Sequence, residues 1–396
     1  MSKVGNCARL TDQAQEECLR PNKLQKISIT DVLKLGETLP LDSRTTSLFP
    51  CWFDLELART GQRFARKYLA QISFANGMSL ILLLSDYQTR RVLFLTQKSE
   101  TPEKAFKRYT ATMQQIVVWF ESDILSPNWV RSVTNVRKIH SHASSHVKSL
   151  NSTASKFTVT PEENETGFQP NGNLWKAFKM DLAQMRYEVQ PTEFDYSTPK
   201  FKFNQYTMVM TVWAFMALPI LSPQALGIKN AMEEELQGYA HLWAVIAYAL
   251  GTDEKFIFCK GTLIEWQDCK CQLKDLLTKH FLPQLLNLDF EGELMIESML
   301  LAFKRILTGY PVEGLLINLL EEHLGMKATH LRKQRDLMSL VAGTTVNNFI
   351  YYSGYNPVLG LFTNQLTLSQ IQSASLKVFG DPGTNLTHVS NAHFYF

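Results

Sequence analysis

In the run VTNVRKIHSHASSHV, Val133, Val136, His140, Ala143 and Val147 recur at spacings of three and four, so they share one stripe of a helix over 128–150. His140 is the polar interruption of that apolar stripe, and Arg137 stands one turn before it. Two readings suit such a residue. A histidine on an apolar face is most often a hydrogen-bonded core side chain, but a neutral imidazole facing an apolar cavity is also what a haem iron takes as its axial ligand. His142 and His146, also four apart, fall on a face crowded with serine and read as solvated.

A second polar pair lies on the preceding helix, 101–120. Arg108 and Thr112 are four apart and stack on one face, with Trp119 further along it and Met113, Ile116, Val117 and Phe120 beside them. A cation and a hydroxyl thus border the buried side. Periodicity alone favours an arginine stretched along the surface and a threonine bonded to its own helix. His241, in ELQGYAHLWAVIAYALG, interrupts a helix that is apolar nearly all round and shares a face with Gln237, Val245 and Tyr248. It suits a second ligand, a cavity-lining acid–base residue or a core histidine.

The runs RYTATMQQIVVWF, VRKIHSHAS, NQYTMVMTVWAFMALP and GYAHLWAVIAYALGTDEKF, in that order, resemble the ordered motifs of the mpaB-type and rubber oxygenase catalytic domain. The resemblance covers residues 48 to 260. It implies an all-α fold enclosing a haem cavity, with haem b as cofactor, O2 as co-substrate and an apolar, isoprenoid-like substrate cleaved or oxygenated. By it, His140 of the R-x-x-H motif is the axial haem ligand. Arg108 and Thr112 match the R-x-x-x-T pair of the distal side. Arg137 and Thr211 are expected beside the cofactor, and His241 with Arg108 and Thr112 among the catalytic residues. Two positions depart from the pattern: Ala111 stands where some rubber oxygenases carry a lysine, and Ala244 replaces the arginine of a later motif. These departures leave open a haem- or lipid-binding protein that has lost catalysis.

The elements that must position these residues are helical throughout. Apolar residues at helical spacing mark 51–73, 78–95, 101–120, 128–150, 173–187, 203–226, 230–250, 262–285, 290–308, 311–324 and 328–345, with no alternating strand pattern between them. Thr101-Pro102-Glu103 is a helix start. Residues 1–45 read as a polar lead-in, 46–365 as one helical domain with a polar insertion at 151–172, and 366–396 as a tail wrapped on the surface. Residues 203–228 carry no charge and are long enough to span a bilayer, which keeps a membrane-embedded reading open; Pro219, Pro223 and Gly227 favour a helix buried in a bundle.

Composition bounds the rest. With 45% hydrophobic and 19% charged residues among 396, the chain can bury a large core, and its 24 Phe, 13 Met and 7 Trp can line a cavity for an apolar molecule. A net charge of +3 without a dense basic block argues against nucleic acid as a partner. Cys259, Cys269 and Cys271 lack the answering pair of a zinc site and are expected as thiols, as are Cys7, Cys18 and Cys51. The polar N-terminus has no apolar signal region, so an intracellular setting is expected, the sequons at Asn151, Asn164 and Asn385 read as chance, and peripheral association with a membrane stays open.

Overall fold

Side-chain caps fix where the helices begin. Thr101 accepts a hydrogen bond from the Lys104 amide with Pro102 in the first turn, Asp54 accepts from Leu57, and Asn204 forms a capping box with Thr207. The computed structural model describes residues 29–41, 47–150, 159–185, 202–257, 259–261, 265–307 and 310–380. The expectations for 1–28, 151–158 and 381–396, with Asn151, Asn385, Cys7 and Cys18, lie outside them.

The main helices are α1 (Ile29–Thr38), α2 (Leu55–Lys67), α3 (Leu69–Ser85), α4 (Tyr87–Leu95), α5 (Pro102–Glu121), α6 (Pro127–Leu150), α7 (Gly172–Leu182), α8 (Gln205–Leu221), α9 (Glu233–Leu250), α10 (Trp266–Leu276), α11 (Phe290–Ile306), α12 (Val312–Asn318), α13 (Leu337–Ser353) and α14 (Pro357–Phe379). Among the described residues there is no β-strand, only an isolated bridge between Pro40 and Asn204. The class is all-α.

α3 is the hub. Every residue from Leu69 to Ser85 is buried, and α8, α11 and α14 pack around it. α2 crosses α9 at close range through two glycines: a Cβ at Gly61 would lie 2.1 Å from the Gly238 carbonyl oxygen. That approach lets the two helices share one face. Polar groups pin the remaining joints. Arg90 donates to both carboxylate oxygens of Asp289 at 2.8 Å, and Asp86 accepts from Tyr206 at 2.6 Å and from Gln284 at 2.8 Å. Four acceptor contacts around the buried Asp86, including His280, hold its carboxyl down to about 2 against the opposing effect of burial.

Three features differ from the sequence expectations. The segment 51–73 is not one helix: it breaks at Tyr68, and α2 and α3 meet at 89°. The segment from 366 does not begin a surface tail, because α14 continues to Phe379, its start capped by Asn356 with Pro357 in the first turn. Cys259 and Cys269 are not thiols but a disulfide, their Cα atoms 5.0 Å apart, since the strand of chain after α9 folds back onto the first turn of α10. Cys51, also expected as a thiol, is disulfide-bonded as well, whereas Cys271 is free and exposed. In the stretch 203–228, α8 has 17 residues and is largely buried, and no single helix among those described is long and apolar enough to cross a membrane.

Candidate functional site

α5, α6 and α8 each turn one stripe toward a common space. On α5 the stripe is Arg108, Thr112, Gln115, Ile116 and Trp119; on α6 it is Val136, Ile139, His140 and Ala143; on α8 it is Thr207, Thr211, Val212 and Phe215. Each set repeats at spacings of three and four, as one face of a helix must. Leu83, Val92 and Trp243 close the walls from α3, α4 and α9, around a cavity of roughly 130 Å³ that is partly open to solvent. The lining is mainly apolar, with a few polar groups at fixed positions, the usual composition of a site for a small molecule.

The polar groups are poorly satisfied by the protein itself. His140 makes no hydrogen bond among the described residues, and its Nδ1 is buried without a partner; its ring packs against Phe203 at 5.2 Å. Burial, and then the Arg108 cation, push its pKa down to about 4, so the imidazole is neutral at pH 7. Arg108 donates to Thr96 Oγ1 at 3.3 Å and has no carboxylate partner among the described residues. Burial lowers its pKa, with Tyr109 and Glu100 opposing, yet a guanidinium stays charged. Thr112 and Thr211 each donate to a carbonyl one turn back, Arg108 O at 3.1 Å and Thr207 O at 2.7 Å, which leaves their oxygens able to accept. Thr89 Oγ1, Tyr109 Oη and Trp243 Nε1 are buried without partners on the same walls. Burial holds the Tyr109 phenol up at about 12. By contrast Ser132 donates to Gln115 at 2.6 Å and accepts from Trp119 at 2.8 Å, which fixes that wall in place.

Arg108, Thr112, His140 and Thr211 are therefore brought together, and two expected residues are not. Arg137 does not line the cavity. It is one residue beyond Val136, and about 100° of helix rotation per residue carries it off the stripe. His241 is buried outside the cavity with both nitrogens in use: Nε2 accepts from the Asp54 amide at 3.0 Å, and Nδ1 lies 2.5 Å from the Lys260 carbonyl, to which it donates. Its rings of contact are Trp52 and Phe53, and burial lowers its pKa. His241 ties the chain before α2 to the chain after α9 and has no lone pair left for iron or substrate. Neither Ala111 nor Ala244 lines the cavity. Thr89, Thr96, Tyr109 and Phe203 escaped the sequence reading. Tyr109 could have been suspected as the neighbour of Arg108, whereas Phe203 stands at the expected start of 203–226 but lies just before the helix, which begins at Gln205.

Among the described residues no group of three or more His, Cys, Asp or Glu is arranged to hold a metal ion by protein ligands alone. In comparisons with known proteins the chain matches no family model, no curated protein and no solved structure.

Proposed function

We propose that this chain is a haem b-dependent oxygenase that takes an apolar, isoprenoid-like substrate and O2. The observation that carries the reading is the convergence on one apolar cavity of a neutral His140 without a hydrogen bond and an Arg108 without a carboxylate partner, among the described residues. The donor set fits haem. A haem iron needs a single neutral imidazole from the protein, which His140 offers, and its carboxylates favour a nearby cation, which Arg108 offers. Bound there, haem supplies the redox chemistry that activates O2.

The chain's own residues do the rest. Burial keeps His140 deprotonated and available as a ligand over the neutral range. Arg108 is a fixed cation on the cavity wall, placed to stabilise negative charge developing on oxygen, and the Thr112 hydroxyl, whose proton goes to the Arg108 carbonyl, offers an acceptor oxygen one helical turn along. Ile116, Val136, Val212 and Phe215 exclude water and bind hydrocarbon by burial alone. A haem- or lipid-binding protein without turnover is the second reading. It rests on the departures from the motifs at Ala111 and Ala244, neither of which lines the cavity.

The test is an absorption spectrum of the purified full chain, with haem quantified per chain as the pyridine haemochrome. A Soret band at a stoichiometry near one, with O2 consumption on a polyprenyl substrate, is expected. A chain that stays colourless after reconstitution with haemin refutes both haem readings; a coloured chain without O2 consumption leaves the second.

A further inference from the structure

α13 and α14 form a helical hairpin whose polarity is reversed. From Leu337 to Leu376 the chain has no Asp, Glu, Lys, Arg or His. Over the first half of α14 the buried face carries Thr363, Asn364 and Thr367, with Ile371 and Ala374 buried further along, while Val358, Leu361 and Phe362 on the outer face are 76%, 68% and 60% exposed. On α13, Leu337 and Met338 are 73% and 76% exposed. A helix on a water-facing surface has the opposite arrangement, apolar in and polar out.

The rotation of both helices is locked. Asn364 Nδ2 donates to the Arg66 and Lys67 carbonyls at 2.9 and 3.0 Å, and its Oδ1 accepts from the Ala70 amide at 3.0 Å, so it plugs the break between α2 and α3. Gln71 Nε2 donates to the Ile350 carbonyl at 2.9 Å and to Ser353 Oγ at 2.8 Å, which does the same for α13. Turning the apolar face inward would leave these buried groups unpaired.

We propose that the outer face of this hairpin docks in the plane of a lipid bilayer, at the boundary between headgroups and acyl chains. An apolar face could also meet a protein, but protein interfaces carry a polar and charged rim. Here both helices lack charge on every side, and ionisable residues return only at the ends, Asp336 before α13 and Lys377 at the end of α14. At the turn of the hairpin, Lys229 sits over the Tyr351 and Tyr355 rings at 5.4 and 4.9 Å, with Tyr352 exposed beside them. Tyrosine and lysine together are the side chains that anchor at a membrane–water boundary. Neither helix crosses: the described chain holds no single helix long and apolar enough, and an in-plane hairpin needs none. The inference is independent of the haem reading.

The experiment is flotation of the purified full chain with phosphatidylcholine vesicles containing phosphatidylserine, paired with hydrogen exchange. The wild-type chain is expected to float, with new protection confined to 337–376. The double variant Leu361→Glu/Phe362→Glu is expected to partition on the order of a hundredfold more weakly. Leu337→Glu/Met338→Glu, on the other helix, should weaken it as well; circular dichroism checks that each variant is folded. A wild-type chain that stays below the vesicles overturns the proposal. If light scattering then finds a dimer that the same variants dissociate, the face belongs to a second copy. Vesicle binding that survives both double variants overturns it equally.

Discussion

Two histidines interrupt apolar helices in this chain, and replacing each by alanine separates the proposed haem ligand from the structural pin. His241→Ala removes the acceptor of the Asp54 amide and the donor to the Lys260 carbonyl. The Lys260 carbonyl then loses its partner in a buried place and the Asp54 amide in a half-buried one, at about 1–2 kcal/mol apiece, and the missing ring adds a cavity beside Trp52 and Phe53. The sum is about 4 kcal/mol, or a fall in melting temperature of roughly 5 °C for a chain of this size. His140→Ala breaks no hydrogen bond and removes a ring that borders a cavity already present. Its cost is about 1 kcal/mol, within roughly 2 °C of the wild type when both are measured without cofactor. Haem content should show the reverse order. His140→Ala is expected to lose the Soret band, whereas whatever His241→Ala protein folds retains it. The assay is haem per chain and calorimetric melting on the same preparations, with circular dichroism as folding control. Full haem occupancy in His140→Ala at an unchanged Soret position would refute the ligand assignment. A His241→Ala chain as stable as wild type would refute the account of that residue.

Other perturbations test the neighbouring claims. Thr112→Val keeps the shape of the side chain and removes an acceptor oxygen from the cavity wall, so haem content should hold while O2-dependent turnover falls; unchanged turnover would leave Thr112 bonded only to its own helix. Gly61→Ala places a methyl against the Gly238 carbonyl oxygen and should cost about 3 kcal/mol by urea denaturation; a neutral result would mean that α2 and α9 can part without penalty. His323 has both ring nitrogens buried and unpartnered, and burial lowers its pKa from 6.5 to about 4. The folded state therefore binds fewer protons than the unfolded chain, so its contribution is intact above 6.5 and erodes as pH falls toward 4. His323→Leu should gain about 2 kcal/mol relative to wild type between pH 7.5 and 4.5, and parallel stability curves for the two proteins would contradict this.

How far the fold could be read from the sequence depended on where the cause of each feature lay. Helix starts were legible where the cap is local, as at Thr101 with Pro102, and α6 runs over nearly the span its apolar stripe marks. The break at Tyr68 was not. Neither glycine nor proline marks it, and its exposed carbonyls are met by Asn364, a residue far along the chain. α14 escaped for a related reason: Pro357 reads as a breaker but occupies a first turn, where a missing amide costs nothing. Its apolar residues keep helical spacing on the wrong face, so a pattern sought on the assumption of a buried apolar stripe passes over it. The disulfide depends on chain reversal after α9, which cysteine spacing alone does not encode.

The candidate site divides along the same line. Arg108, Thr112 and His140 are visible in sequence because each interrupts an apolar stripe, and stripe geometry is local. His241 interrupts its stripe just as plainly, and periodicity could not tell the two histidines apart. What separates them is satisfaction of the ring nitrogens, which is tertiary. The partners of His241 are backbone groups at Asp54 and Lys260, supplied by chain on either side that no helical spacing predicts. His140 has none, and Thr89, Tyr109 and Trp243 on the same cavity walls have none either. Buried polar atoms ordinarily find partners within the protein or in ordered water. On the haem reading proposed above, a cavity that gathers a neutral imidazole, a guanidinium without a carboxylate partner among the described residues and further unpartnered polar atoms would hold a group that the polypeptide does not supply, and His140 is the side chain whose removal tests it.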